Sequence, residues 1–283
     1  MKIVKCYNCG SIKSTFYAEE NGFTLVKCSG CGLLYVKNRP DDDKIMDDTK
    51  IGLIHGKKIL DVTVHFNAEA MKQYRVVLND LFGGDFSTIQ TWLDVGCGHG
   101  EFMKTLKNIN SGTIMVKGIE PNVKKQESAR KRGLDVSYFE LSSHSEKYDM
   151  ISMLDVYSHL PDPVSFIKEL KHLLNPRGEF LIETGDSANF TAAEQVKPFC
   201  LPDHLSFASE RIVVDILERL NFEILSIKKY PYLHLNIMSI VKEIVKLFLP
   251  KYNSSIKYYF KWKKHSRTNM FIRARLKDNR NIP

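Results

Sequence analysis

No apolar run in this chain is long enough to cross a bilayer. The longest near the C-terminus, "LNIMSIVKEIVKLFL" (235–249), is broken by Lys242, Glu243 and Lys246, whereas a spanning helix needs about 20 predominantly apolar residues. The opening "MKIVKCYNCG" also lacks the apolar segment of a secretion signal. These two absences lead to the expectation of a soluble, cytoplasmic protein. The composition, 43% hydrophobic and 26% charged, is that of an ordinary globular chain. At 283 residues it has room for one large domain, or one domain plus a small module.

A net positive charge is missing from most of the chain. Residues 228–283 hold 14 Lys and Arg against Glu243 and Asp278, a balance of +12, so the first 227 residues carry −4 of the total +8. A basic C-terminal quarter on a mildly acidic body suits an anionic partner: a phosphate-bearing small substrate, nucleic acid or a membrane surface. A merely solvated lysine-rich face fits equally well.

Four of the six cysteines form two knuckles, Cys6-x-x-Cys9 and Cys28-x-x-Cys31, each followed by glycine and separated by 18 residues. Two such turns bring four thiolates onto one ion, the donor set of a structural Zn²⁺ site. The segment between them alternates apolar residues about Asn21-Gly22, a hairpin signal. Strand, turn and strand with a knuckle at each end make a zinc ribbon over residues 1–40. Disulfides do not suit a cytosolic chain, and a redox pair would not explain the duplication. Cys97 and Cys200 are read as unligated. Residues 41–65, acidic and then glycine-punctuated, read as a linker with a short helix.

From residue 66 the pattern changes. Apolar residues at Ala70, Met71, Tyr74, Val77, Leu78 and Leu81 have helical spacing, stopped by Gly83-Gly84. Short apolar strands at 91–95, 113–120, 134–139, 148–156 and 179–184 then alternate with helical stretches at about 101–109, 122–132 and 161–174. A further helix is expected from a Ser209 cap to near Asn221, with strands at 222–230 and 268–276. Such alternation argues an α/β fold with a doubly wound, mostly parallel sheet, whose ligands bind beyond the carboxyl ends of the strands.

One glycine is also lacking. "LDVGCGHGEF" (93–102) has Gly96, Gly98 and Gly100, but Glu101 stands where a dinucleotide turn, G-x-G-x-x-G, has its third glycine. A pyrophosphate needs that glycine for close helix–strand packing. Glu120, 24 residues after Gly96, ends the second strand, where an acid accepts from both hydroxyls of a ribose. The turn and the acid together suit a ligand with a ribose and no phosphates. The order "LDVGCGHG", "GIEPN", "YDMISMLDVYSHLPDP", "LNPRGEFLIET" resembles the class I S-adenosylmethionine-dependent methyltransferases over about residues 90–230.

The resemblance implies a Rossmann-like, seven-stranded methyltransferase domain over 66–283 and a cofactor, S-adenosylmethionine, leaving as S-adenosylhomocysteine. It places Asp94, Gly96, Gly98 and Gly100 at the methionine part of the cofactor, where Cβ atoms would obstruct it. Glu120 takes the ribose and Pro121 lies against adenine. Phe139 and Glu140, followed by Leu141, fall at the adenine edge, and the Leu154 carbonyl faces the methionine amine. If the accepting atom is a hydroxyl, a base must remove its proton, and His159, His204 and then Tyr157 are the candidates. There is no Pro-Pro-aromatic turn of amino-directed DNA enzymes and no Pro-Cys nucleophile of pyrimidine C5 enzymes. The N-terminal ribbon resembles a group associated with modification of sugars and other small polar metabolites. That points to an anionic acceptor such as a sugar nucleotide or phosphorylated metabolite; RNA methylation and a non-catalytic binding module of this fold remain open. Residues 231–267 read as an insertion that interleaves lysines with Tyr258, Tyr259, Phe260 and Trp262. A lid, a homodimer contact, an RNA-stacking surface and a membrane-surface contact all fit it.

Overall fold

The computed structural model of the chain describes residues 1–54, 58–59, 66–138, 146–195, 197–231 and 268–278. Its N-terminal part comprises β1 (Lys2–Ile3), a hairpin of β2 (Ser14–Glu20) and β3 (Phe23–Cys28), then β4 (Leu34–Val36) and β5 (Asn38–Arg39). Asn21 and Gly22 join β2 to β3 with φ of 56° and 79°, as a two-residue type I′ turn requires. The expected linker carries α1 (Asp42–Ile51) and a small hairpin, β6 (Leu53–Ile54) with β7 (Lys58–Ile59).

The helix after it, α2 (Ala68–Phe82), starts where the Asn67 side chain accepts the N–H groups of Glu69 and Ala70. The α/β alternation then runs β8 (Thr91–Val95), α3 (Glu101–Ile109), β9 (Met115–Glu120), α4 (Val123–Arg130), β10 (Asp135–Tyr138), β11 (Tyr148–Leu154), α5 (Pro163–Lys171) and β12 (Leu174–Gly185). It closes with β13 (Ser206–Phe207), α6 (Glu210–Arg219), β14 (Phe222–Tyr230) and β15 (Asn269–Leu276). The main sheet has seven strands in the order β10-β9-β8-β11-β12-β15-β14. The pairings from β10 to β12 are all parallel, and β15 runs antiparallel to both of its neighbours. Apolar side chains cover both faces. Leu93, Ile151 and Ile182 pack in one core, and Trp92, Met150 and Leu181 in the other, which is why the strands read as near-continuous apolar runs.

Three local expectations are revised. The helix expected over 161–174 is shorter, because a 3₁₀ turn at Tyr157–His159 precedes it and Asp162 caps α5 by accepting the Ser165 N–H. "NPRG" lies inside β12 as a bulge, where pairing with β11 jumps from Tyr148–Leu174 to Met150–Glu179. Ser209 makes no side-chain cap; Asp186 from the preceding loop accepts the Glu210 N–H instead, at 3.0 Å.

The N-terminal sheet and the large domain share a core. β13 adds to β4, and Leu25, Leu34 and Tyr35 pack in the same cluster as Tyr157, Phe199 and Ile212. Among the described residues no helix is long and apolar enough to cross a membrane.

Candidate active site

The turn after β8 is shaped by the protein's own packing. At Gly96, φ 70°, a Cβ would come 2.4 Å from Val156 Cγ2; at Gly100, φ 89°, it would come 2.1 Å from Leu134 Cδ1. Both positions exclude side chains because neighbouring segments press on them, whereas the space at Gly98 is open. Gly118, in the middle of β9, was not singled out from sequence, yet a Cβ there would lie 2.6 Å from Met103 Sδ. Gly100→Ala adds a collision to an unfavourable φ, so it is expected to destabilise the fold by about 1–3 kcal/mol. Thermal unfolding checks this, and an unchanged midpoint contradicts it.

Glu120 ends β9 and is only 4% exposed. Its Oε2 accepts the Gly98 N–H at 2.8 Å and its Oε1 accepts the Asn122 N–H at 2.9 Å. A carboxylate so fixed keeps further lone pairs for a ligand. Burial raises its pKa; Lys125 and the two N–H groups pull it back. Asp94, expected at the ligand, is buried and accepts Ser152 Oγ at 2.6 Å, while Trp92 Nε1 donates to the same hydroxyl at 2.9 Å. Burial pushes Asp94 up to about 7. Leu154 is also buried.

A cavity of about 400 Å³ opens at the carboxyl ends of the strands, within the range of small-molecule sites. Gly96, Glu120 and Pro121 line it from the ends of β8 and β9. Asp155, Val156 and His159 line it from the segment after β11, and Asp203 and His204 from the loop before β13. Helix α1 contributes Ile45, Met46 and Thr49, so the expected linker forms part of the wall. Asp155 follows directly on Leu154 in the fourth-strand motif, a position that could have singled it out in the sequence, and stands at φ 57°.

His159 and His204, 45 positions apart, meet in this cavity with ring centroids 4.8 Å apart. A ring nitrogen of each and a carboxylate oxygen of Asp203 all lie within 4.8 Å of one another. His159 Nδ1 is 2.9 Å from the Asp203 carbonyl and 3.4 Å from its Oδ1, and His204 Nδ1 is 3.0 Å from the Phe199 carbonyl. Burial favours neutral His159, but hydrogen bonding and charge from Asp203 outweigh it and hold its pKa above the usual imidazole value. Burial, and then the charge of His159, push His204 below that value. Tyr157 is a different case. It is fully buried, and its hydroxyl accepts from Tyr7 at 3.1 Å. It belongs to the packing between the two parts of the chain and does not line the cavity. Phe139, Glu140, Leu141 and all but the first residue of 231–267 lie outside the described residues.

The four knuckle cysteines converge as well. Their Sγ atoms lie within 4.8 Å of one another, with Cys6–Cys31 at 3.6 Å and Cys9–Cys28 at 3.4 Å. A tetrahedral S₄ zinc site, with Zn–S near 2.3 Å, has edges of about 3.8 Å, so this donor set fits the ion.

A mostly parallel open sheet with a glycine turn after its first strand and a buried acid ending its second defines a Rossmann-like nucleotide-binding fold. Residues 65–227 match the family described as a methyltransferase domain, and the chain belongs to that family. The ubiquinone biosynthesis O-methyltransferase of Actinobacillus pleuropneumoniae serotype 5b (strain L20) is 32% identical over 120 residues, which is 38% of this chain and 47% of that protein. That of Serratia proteamaculans (strain 568) is 30% identical over 109 residues, 36% of this chain and 44% of that protein. The chain thus spans about half the length of the curated relatives it matches. Among solved structures, the O-methyltransferase of a trans-AT PKS multienzyme of Brevibacillus brevis, in complex with S-adenosyl-L-homocysteine, is similar at a TM-score of 0.52 and 18% identity, over 74% of this chain and 73% of that one. Phospholethanolamine N-methyltransferase 2 of Haemonchus contortus has a TM-score of 0.54 at 15% identity, over 74% of this chain and 53% of that one. These two likenesses concern the fold.

Proposed function

We propose that this protein transfers a methyl group from S-adenosylmethionine to a hydroxyl oxygen of a small polar acceptor. One observation carries the reading: the backbone-fixed Glu120 carboxylate and the His159–His204 pair line the same cavity. Glu120 suits the two hydroxyls of a ribose, and Pro121 beside it offers an apolar surface to a base. When bound, the cofactor supplies an electrophilic methyl on a sulfonium. The remaining work falls to this chain, which must hold the acceptor oxygen in line and take its proton. His204 is suited to that step because its lowered pKa leaves it neutral near pH 7. His159, held toward its protonated form by Asp203, orients the acceptor. The names of the matching relatives, O-methyltransferases, support a hydroxyl acceptor.

The described wall carries Asp48, Glu120, Asp155 and Asp203 and one lysine, Lys125. On its own it does not favour an anion. The lysines expected from sequence to serve an anionic acceptor such as a sugar nucleotide, Lys261, Lys263 and Lys264, lie outside the described residues. The test is a panel of hydroxyl-bearing small molecules, neutral and phosphorylated, read by release of S-adenosylhomocysteine. Release that depends on one acceptor class supports the reading; S-adenosylmethionine binding with no release for any acceptor contradicts it.

The four thiolates of Cys6, Cys9, Cys28 and Cys31 are proposed to hold a single Zn²⁺, structural because every ligand is a protein thiolate. Elemental analysis of the purified protein is expected to find one zinc per chain. A folded, reduced protein containing none contradicts the site.

A further inference from the structure

We infer that Glu20, in the N-terminal sheet and outside the cavity, is a positioning residue for His204. The inference rests on the reading that His204 takes the acceptor's proton. Glu20 ends β2 beside the Asn21-Gly22 turn and reaches the loop that precedes β13. Its Oε2 accepts the Phe199 N–H at 2.8 Å and its Oε1 accepts the Leu201 N–H at 2.9 Å. Asn21 Nδ2 donates to the Leu201 carbonyl at 2.9 Å. The imidazole is referenced to the residues so clamped. His204 Nδ1 bonds to the Phe199 carbonyl, and the His204 N–H donates to the Cys200 carbonyl, each at 3.0 Å.

The clamp is well founded on both sides. Phe199 and Leu201 are buried, and the Phe199 ring packs edge-on against Tyr17 and Phe207. On the far side of His204, Val36 in β4 donates to the Leu205 carbonyl at 2.9 Å, and Leu205 donates to Ser158 at 2.7 Å. The last bond ties the loop to the turn that carries His159. The N-terminal sheet therefore grips the His204 loop before and after the imidazole, and Glu20 supplies the charged contact. Hydrogen bonds from two N–H groups to one carboxylate are stronger than neutral ones and fix direction as well as distance.

Glu20→Gln keeps the shape but turns an NH₂ group toward one of the two N–H donors, so one contact becomes repulsive and the charge is lost. The full chain carrying this change is followed by NMR, reading the His204 ring resonance, assigned by its absence in His204→Gln, across the pH range. The groups that face His204 are His159, Asp203 and Asp155. Loosening the loop relieves burial and the charge of His159, so the proton affinity of His204 is expected to rise toward that of a free imidazole, by about threefold or more. Calorimetry with S-adenosylhomocysteine serves as control, and its affinity is expected to stay the same. An unchanged His204 titration overturns the inference, and so does a loss of S-adenosylhomocysteine affinity that parallels the shift, which would mean general loosening of the fold. Asn21→Ala removes one neutral bond to the same loop, and covers a Glu20→Gln chain that does not fold: it should move His204 in the same direction by less, and no movement overturns the inference. A fully active His204→Gln enzyme sinks the base reading instead, whatever Glu20 does.

Discussion

Replacing His204 with glutamine is expected to slow methyl transfer by about 10²–10⁴-fold, the usual contribution of a positioned general base. Glutamine is close to histidine in size and can still donate to the Phe199 carbonyl that now holds Nδ1. It cannot take a proton. Affinity for S-adenosylmethionine should hardly change, because Glu120 and the glycine turn come from other strand ends. The pH profile adds a second readout. A base works in its neutral form, so the wild-type rate should fall as pH drops through the His204 pKa. Burial and His159 hold that pKa below the ordinary imidazole value, so the falling limb belongs below about pH 6.5. In the glutamine variant this limb should vanish, leaving a low, flat rate. A variant with wild-type rate and an intact acid limb would assign the proton to another group.

Glu120→Ala should weaken S-adenosylmethionine binding by on the order of 1.5–3 kcal/mol, about 10–150-fold. Two effects act together. The ribose loses its charged acceptor, and the Gly98 and Asn122 N–H groups lose theirs. Asn122 is itself buried, so its N–H has little water to turn to. Calorimetry measures the loss, and a parallel melting curve separates it from unfolding. An unchanged dissociation constant in a folded variant would remove the ribose role.

The features legible in the sequence are those set by short-range spacing. The Cys-x-x-Cys knuckles, the Asn21-Gly22 hairpin, the glycine turn and Glu120 at a strand end each depend on a few adjacent residues, and the structure brings the first and last of these into a thiolate cluster and a cavity. The apolar runs of β8, β9, β11 and β12 announced strands because both faces of the sheet are covered. What was missed depends on distant partners. In "DVYSHLPDP" nothing local shows that the Tyr157 hydroxyl meets that of Tyr7, 150 positions away. Asp186 rather than Ser209 serves the start of α6, and no local pattern reveals it. Helix α1 has no buried residue, so its stretch shows no amphipathic stripe and reads as linker, although it walls the cavity. A second reason for glycine at 96 and 100 is hidden for a similar cause: Val156 and Leu134 arrive there from other segments.

The central claim, that one cavity holds the cofactor on Glu120 and presents its methyl to the imidazole pair, is tested most directly by a crystal structure of the chain with S-adenosylhomocysteine. The account predicts both ribose hydroxyls within hydrogen-bonding distance of the Glu120 carboxylate, adenine against Pro121, and the sulfur facing the space beside His159 and His204. A ligand bound elsewhere, or bound here with its ribose away from Glu120 or its sulfur turned from the histidines, would contradict it.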